Sequence, residues 1–300
     1  MKFSRYYGAA LLAFIVWGFF SLALKPLNTY PSLDILFYRV FFCAALMLII
    51  SLFLRKKVLK NSYTTFKNLS KKDKSKTVLL TFFGGALLTA NWFFFIYAMN
   101  HISIKAASYA YLVCPIITTV LAYFILHEKL SKWQWLAVGI SVVSCFLLSF
   151  NNLVDLYYSL IVAVSYALYL ITQRKNILFD RFLLLTFQII FAAFILLPFY
   201  PSYSGAVPQE AFFYEMIMII VILFTIIPLF LNLYALQGVN SSTMGILLYI
   251  NPLLNFLIAV FYFDEKTNSF QIFSYSLILL SIIIFNEKHI FRRKKVNVLS

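Results

Sequence analysis

The sequence predicts an all-α membrane protein of about ten transmembrane helices, arranged as two inverted five-helix repeats. Three observations predict it: a chain too apolar for a soluble fold, basic residues gathered at alternate connections, and an internal register of 137 residues. Hydrophobic residues make up 63% of the chain and charged residues 12%, about half the charged share of soluble domains. A soluble body of 300 residues has too much surface to hide so apolar a composition, whereas a bilayer accepts it.

A span needs about 20 mostly apolar residues. Ten segments qualify: Tyr6–Leu24, Ile35–Leu54, Val78–Ala98, Ala106–Leu126, Trp133–Phe150, Val154–Thr172, Phe182–Tyr200, Phe212–Leu233, Thr243–Phe263 and Phe270–Phe285. The first is too long for the core of a signal peptide and has no small-residue cleavage site, so it reads as a retained span. Most connections are short. The basic stretch 55–77 is the exception and reads as a surface loop or an interfacial helix.

The net charge of +15 raises nucleic acid as a partner. Nine of the 25 Lys and Arg lie between Arg55 and Lys76, and five between Lys288 and Lys295. Neither run carries interleaved aromatics, and both adjoin apolar segments, which is the signature of anionic headgroups and cytoplasmic loops rather than of DNA. With the N-terminus inside, 21 of the 25 fall on the cytoplasmic side; Lys25, Lys105 and Lys266 are outside, and Arg39 is within a span. A miscounted span would scramble this segregation partway along. Both termini are therefore expected on the cytoplasmic side.

Sliding the chain by 137 residues pairs Tyr97-Ala98 with Tyr234-Ala235, Pro115 with Pro252, Phe124 with Phe261, Glu128-Lys129 with Glu265-Lys266, and Gln134 with Gln271. The first repeat occupies residues 1–150, including the basic loop 55–77, and the second residues 151–300, including the basic tail 286–300. Five spans per repeat is an odd number, so the second repeat must insert upside down. Inverted repeats are an architecture of secondary transporters, which place a substrate site near the midplane between the halves.

The candidate site residues are the polar groups inside spans. Arg39 lies about four residues, or roughly 6–8 Å, into the second span, where it either faces a cavity or snorkels to the headgroups. Asn91 and Trp92 lie mid-span, where an amide seeks a substrate or a neighbouring helix. Tyr109 and Tyr111 precede Pro115, while Tyr249 and Asn251 precede Pro252. Each proline frees a backbone carbonyl, making a hinge beside a ligand-facing groove or a packed kink. Glu128 and Glu265 read as topology markers or as anchors that fix their loops.

The ten carboxylates all stand near segment ends or in connections, so no mid-membrane acid is available for a proton relay. Cys43, Cys114 and Cys145 lie in apolar segments without CxxC spacing, and no HExxH, GxSxG or phosphate-loop pattern occurs. No metal, cofactor or catalytic residue is expected.

The run Asn91-Trp92-Phe93-Phe94-Phe95-Ile96-Tyr97-Ala98-Met99-Asn100, followed by Ala107-Ser108, Tyr111, Pro115, Glu128 and Gln134-Trp135-Leu136-Ala137-Val138, resembles the RarD group of the EamA family in the drug/metabolite transporter superfamily. Trp17-Gly18, Arg39 and the Tyr249, Pro252, Glu265-Lys266 pattern agree with it. The resemblance covers essentially the whole chain. It implies an exporter-like permease of the bacterial inner (cytoplasmic) membrane whose central cavity is lined by spans one to four and six to nine, with five and ten peripheral. The family pattern has an acidic residue where this chain has Ala106, and Asn where it has Cys114, so no role of those side chains carries over.

The leading expectation is a permease or exporter of a metabolite, amino acid or drug, working by alternating access. With tyrosine, tryptophan and asparagine but no buried acid, the expected substrate is neutral or zwitterionic. Membrane lipids are the other partner, nucleic acid is not one, and a homodimer is allowed. The competing readings are a channel or scramblase, and an integral membrane transferase, for which no converging acid, base or nucleophile is present.

Overall fold

A computed structural model describes residues 5–97, 104–149, 153–176, 179–262 and 269–287. Among the described residues the helices follow one another in the order of the expected spans, with one further amphipathic helix after the second. The first span is α1 (Arg5–Gly18) and α2 (Phe20–Leu24), offset at Phe19, and the second is α3 (Ser32–Ile49) continued by a π-turn at Ile50–Leu54. The amphipathic helix α4 (Lys56–Asn68) follows and buries no side chain. It supplies the interfacial helix of the basic stretch 55–77. Lys71 to Lys76 are not loop but the opening turns of α5 (Lys71–Tyr97), whose start is set by Ser70. Its hydroxyl accepts the Asp73 N–H at 3.1 Å and donates to the Asp73 carboxylate at 2.7 Å.

The fourth to seventh spans are α6 (Ile104–Leu126), α7 (Lys132–Ser149), α8 (Leu153–Lys175) and α9 (Arg181–Leu196), the last extended through α10 (Tyr200–Tyr203). The eighth is α11 (Ala211–Val221), a π-turn at Ile222–Ile226 and α12 (Ile227–Ala235). The ninth is divided into α13 (Ser241–Leu247) and α14 (Ile250–Phe261), and the tenth is α15 (Ser269–Phe285). Ser32–Leu54, Lys71–Phe95, Arg181–Tyr203, Ala211–Ala235 and Ser241–Ile258 are each long and apolar enough to cross a bilayer unaided.

The packing obeys the repeat. Exchanging each span with the one five places away maps the principal contacts onto one another. Thus α5 on α8 exchanges with α12 on α1, α5 on α9 with α11 on α3, and α6 on α8 with α14 on α1. The pairs α3 with α9, α6 with α13, and α7 with α15 exchange with themselves. That is the contact pattern of two inverted halves around a twofold pseudo-axis.

The main core draws Phe14, Met47, Leu88, Cys114, Tyr166, Ile189, Ile220 and Leu247 from spans one to four and six to nine. A second, smaller cluster joins spans five and ten to α6 and to the ninth span through Leu112, Val138, Cys145, Ile246, Tyr249 and Ile278. Spans five and ten are therefore peripheral, and they meet through small residues, with Ser141 donating to Ser281 at 3.0 Å and Ser144 to the Ser274 carbonyl at 2.7 Å.

The two ends of the bundle are tied separately. At one end Arg55 pairs with Asp180 at 2.8 Å, Glu128 accepts from Ser241 and Ser242, and Arg174 donates to the Leu236 carbonyl. At the other, Tyr30 donates to Glu210 at 2.7 Å and the Gly205 N–H to Asp34 at 3.0 Å. Each of these bonds joins two connections that the basic-residue pattern assigns to the same side of the membrane.

Candidate functional site

Among the described residues Arg39 is the one charged side chain set well inside a span, and side chains of spans one, three, four and eight face it. It projects from the eighth residue of α3, and its Nε–H donates to the Thr225 hydroxyl of span eight at 2.8 Å. The guanidinium lies over Trp92 of span three at 4.8 Å and over Phe20 of span one at 5.4 Å. Tyr111 of span four and Cys43 are within its electrostatic reach. Trp17 donates its indole N–H to the Phe224 carbonyl at 3.0 Å and meets Tyr166 of span six edge-on at 6.5 Å.

The π-turn makes this possible. A π-turn carries i→i+5 bonding and leaves carbonyls free for other donors. Here Thr225 bonds back to the Ile220 carbonyl at 3.0 Å while its oxygen receives Arg39, and the Phe224 carbonyl turns to Trp17.

Among the described residues the only ion pair is Arg55 with Asp180, so no carboxylate neutralises Arg39. Trp17, Phe20, Arg39, Trp92 and Tyr111 all keep accessible surface, whereas Thr225, Asn232 and Tyr166 behind them are buried. Their ring and hydrogen-bond contacts run across spans to one another. Two grooves elsewhere, lined by Phe93, Phe94, Tyr97 and Ile161 and by Trp135, Leu136, Gly139 and Val143, are almost wholly apolar. They have the character of lipid-facing furrows between helices.

The other candidate residues take different positions. Asn91 is buried, and its amide donates to the Val162 carbonyl at 3.0 Å and to Ser165 at 3.3 Å, tying span three to span six. Tyr111 packs against Phe95 in a tilted arrangement, ring centroids 5.4 Å apart, close to the Arg39 cluster. Tyr249 is fully buried in the peripheral cluster beside Cys145, away from Arg39, and Asn251 is buried two residues further along. The Tyr109 and Asn255 side chains and all of Asn100 and Glu265 lie outside the described residues.

The matched prolines behave differently. Pro115 sits inside the unbroken α6, whereas Pro252 is the third residue of α14, directly after the Leu248–Tyr249 break. Gly245 lets α13 approach α6 at that level, since a Cβ there would stand 2.9 Å from Thr118 Cβ and 3.2 Å from the Pro115 carbonyl.

The repeated Glu and Gln are accounted for at the first copy. His127 takes a left-handed conformation at φ 54° and the Glu128 N–H returns to the Ala122 carbonyl at 3.2 Å, closing α6 with a Schellman turn. That turn aims the Glu128 carboxylate at the Ser241 and Ser242 N–H groups, at 2.8 and 3.0 Å, and at the Ser242 hydroxyl. Gln134 completes a capping box with Ser131, their reciprocal bonds measuring 2.9 and 3.3 Å.

Sequence reasoning missed Phe20, Thr225 and Tyr166 as members of the cluster. A threonine in an apolar span is an ordinary residue, and its partner lies 186 positions away.

The sequence pattern of the EamA-like transporter family matches residues 4–150 and again residues 155–286. The uncharacterized transporter YojE of Bacillus subtilis is 29% identical over 280 residues, covering 91% of each chain. Protein RarD of Escherichia coli is 25% identical over 297 residues, covering 96% of each. A crystal structure at 15% sequence identity superposes with a TM-score of 0.72, covering 92% of this chain and 94% of the other, and shares the fold.

Proposed function

The chain belongs to the EamA-like transporter family, and from that premise we propose that it is a permease or exporter of small molecules in the bacterial inner membrane, working by alternating access between its two repeats. Both termini are on the cytoplasmic side in this reading. The substrate occupies the space bounded by Trp17, Phe20, Arg39, Trp92 and Tyr111.

The observation that carries the reading is the unneutralised Arg39. A cation within a span is costly unless paired, and among the described residues Arg39 meets one hydroxyl and two aromatic faces but no acid. Its Nη atoms supply the planar donor pair that suits a carboxylate, and the rings suit an apolar body. Zwitterionic or carboxylate-bearing substrates with an apolar side group fit best. Asn91, held by span six, acts in this reading as a tie between helices and not as a substrate contact.

Flux into proteoliposomes tests it, using amino acids and the amines that lack their carboxyl group. Arg39→Ala is expected to lower saturable flux of the carboxylate form about 10–100-fold, the loss of one charge-assisted interaction. The decarboxylated amines should be affected far less. Equal loss for both forms would return Arg39 to a structural role, and unsaturable wild-type flux would sink the carrier reading.

A further inference from the structure

Arg39 has a counterpart that the polar residues of the sequence do not announce. The helices of the second and seventh spans begin at Ser32 and Arg181, so Arg39 and Gln188 each stand seven residues beyond the start of equivalent helices. Their spans exchange under the pseudo-axis, so Gln188 approaches from the opposite, cytoplasmic end of the bundle.

Gln188 is fully buried, as is Gln173 on α8. Both the nitrogen and the oxygen of each amide lack a partner among the described residues, and so do the Tyr169 hydroxyl, the Asn176 Oδ1 and the Arg181 Nε. Of ten such atoms, seven belong to these five side chains. They gather in one place. A Cβ on Gly84 of span three would stand 2.5 Å from the Gln188 Nε2 and 2.6 Å from the Gln173 Nε2, so both amides point at the same bare stretch of helix. Arg181 closes the cytoplasmic side, its Nη1 donating to the Asn176 carbonyl at 2.7 Å and the Gln173 carbonyl at 3.3 Å. Asn176 in turn donates to Thr81 at 3.0 Å.

Two unpartnered amides are a poor way to hold helices together, because each buried polar atom without a partner works against the closed arrangement. They suit a surface that is enclosed in one state and solvated in another. We infer that Gln173, Gln188 and the Arg181 Nε form a second polar subsite on the translocation path, the cytoplasm-side counterpart of Arg39. It is closed to solvent in this conformation and receives water, then the hydrogen-bonding end of the substrate, when the cytoplasmic side opens. The inference rests on the alternating-access reading. It adds to that reading which spans part on the cytoplasmic side: three, six and seven, the exchange partners of eight, one and two.

Cysteine accessibility tests it without knowing the substrate. In a chain whose three native cysteines are replaced by alanine, Gln188→Cys and Gln173→Cys are exposed to a charged, membrane-impermeant methanethiosulfonate in inside-out vesicles. Both should react at least about tenfold faster than Ala192→Cys, a buried position one turn further along α9, because thiol reactivity follows exposure. Reaction no faster than at Ala192→Cys, in a protein that still transports, would overturn the inference and leave the carrier reading intact. Absent saturable wild-type flux would instead overturn the carrier reading, by a separate measurement.

Gln188→Leu guards against a packing artefact. It should melt no lower than wild type in detergent, since it removes two unpartnered atoms, while flux falls about tenfold, the loss of about one hydrogen bond to substrate. A variant that melts several degrees lower yet transports at the wild-type rate would assign the amides to packing and overturn the inference.

Discussion

Arg39 is held by Thr225, covered by Trp92 and Phe20, and still keeps accessible surface. Gln188, at the equivalent place in the other half, is fully enclosed with both amide atoms unpartnered. Related scaffolds have thus been given opposite treatment: a charge left open on one side and neutral amides sealed on the other. The contrast shows how one chain carries a pseudo-axis without being symmetric in any single state. The backbone contacts exchange between the halves, whereas the side chains at the two places differ.

The glycines beside each cluster offer the strongest way to break that comparison. A Cβ on Gly18 would stand 2.7 Å from the Leu254 Cβ, an atom fixed to the α14 backbone, whereas at Gly84 it would meet only the far ends of two amide side chains. Gly18→Ala is expected to lower stability by about 1–3 kcal/mol, the usual cost of overpacking. Gly84→Ala should lose less, by tilting the amides aside. Thermal melting in detergent ranks the two, and a Gly84→Ala loss as large as that of Gly18→Ala would mean that the amides are locked in place.

Trp17→Phe probes the open cluster more gently. It keeps the aromatic contacts and removes the bond to the Phe224 carbonyl, an expected loss of about 0.6 kcal/mol by the average for hydrogen bonds between transmembrane helices. Flux of the carboxylate substrate should fall more than stability does, because the bond holds the wall on which Thr225 meets Arg39. A stability loss without any change in flux would detach Trp17 from the site.

The smallest effect is expected at the cytoplasmic rim. Arg55 and Asp180 are each about 30% exposed, with nitrogen–oxygen distances of 2.8 and 3.3 Å. Arg55→Ala should cost about 0–1 kcal/mol and lose its effect as salt is raised. Asp180→Ala should cost about 1 kcal/mol more, because the same carboxylate caps α9 through the Phe182 and Leu183 N–H groups. Equal losses would mean that the cap contributes nothing.

The span pattern and the repeat were legible because both are written in residue type. Twenty apolar residues, alternate basic connections and a 137-residue register survive without any knowledge of packing. Arg39 was legible for the same reason, as a charge where none belongs. Its partners were not, because hydropathy does not show a π-turn and Thr225 is unremarkable without one. The face on which Tyr249 lies could not be read, since the ninth span breaks at Leu248–Tyr249 and the phenol turns toward Cys145. Gln173 and Gln188 escaped notice because an uncharged amide does not stand out in a span as Arg39 does, and nothing in the sequence joins two of them on different spans. Only their shared approach to Gly84 joins them.

The π-turn at Ile222–Ile226 stores a shift of register. An α-helix advances about 100° per residue, so one residue more than α geometry requires decides which stripe of the span faces its neighbours. Upstream and within the turn, that stripe brings Thr225 to Arg39 and the Phe224 carbonyl to Trp17. Downstream, it brings Asn232 to the Tyr166 hydroxyl at 3.0 Å. If the turn relaxed to α-helix, the two stretches would fall out of phase, and one set of bonds would have to rotate away. The eighth span therefore behaves as a single cam: the grip on the arginine and the grip on the sixth span cannot be adjusted independently.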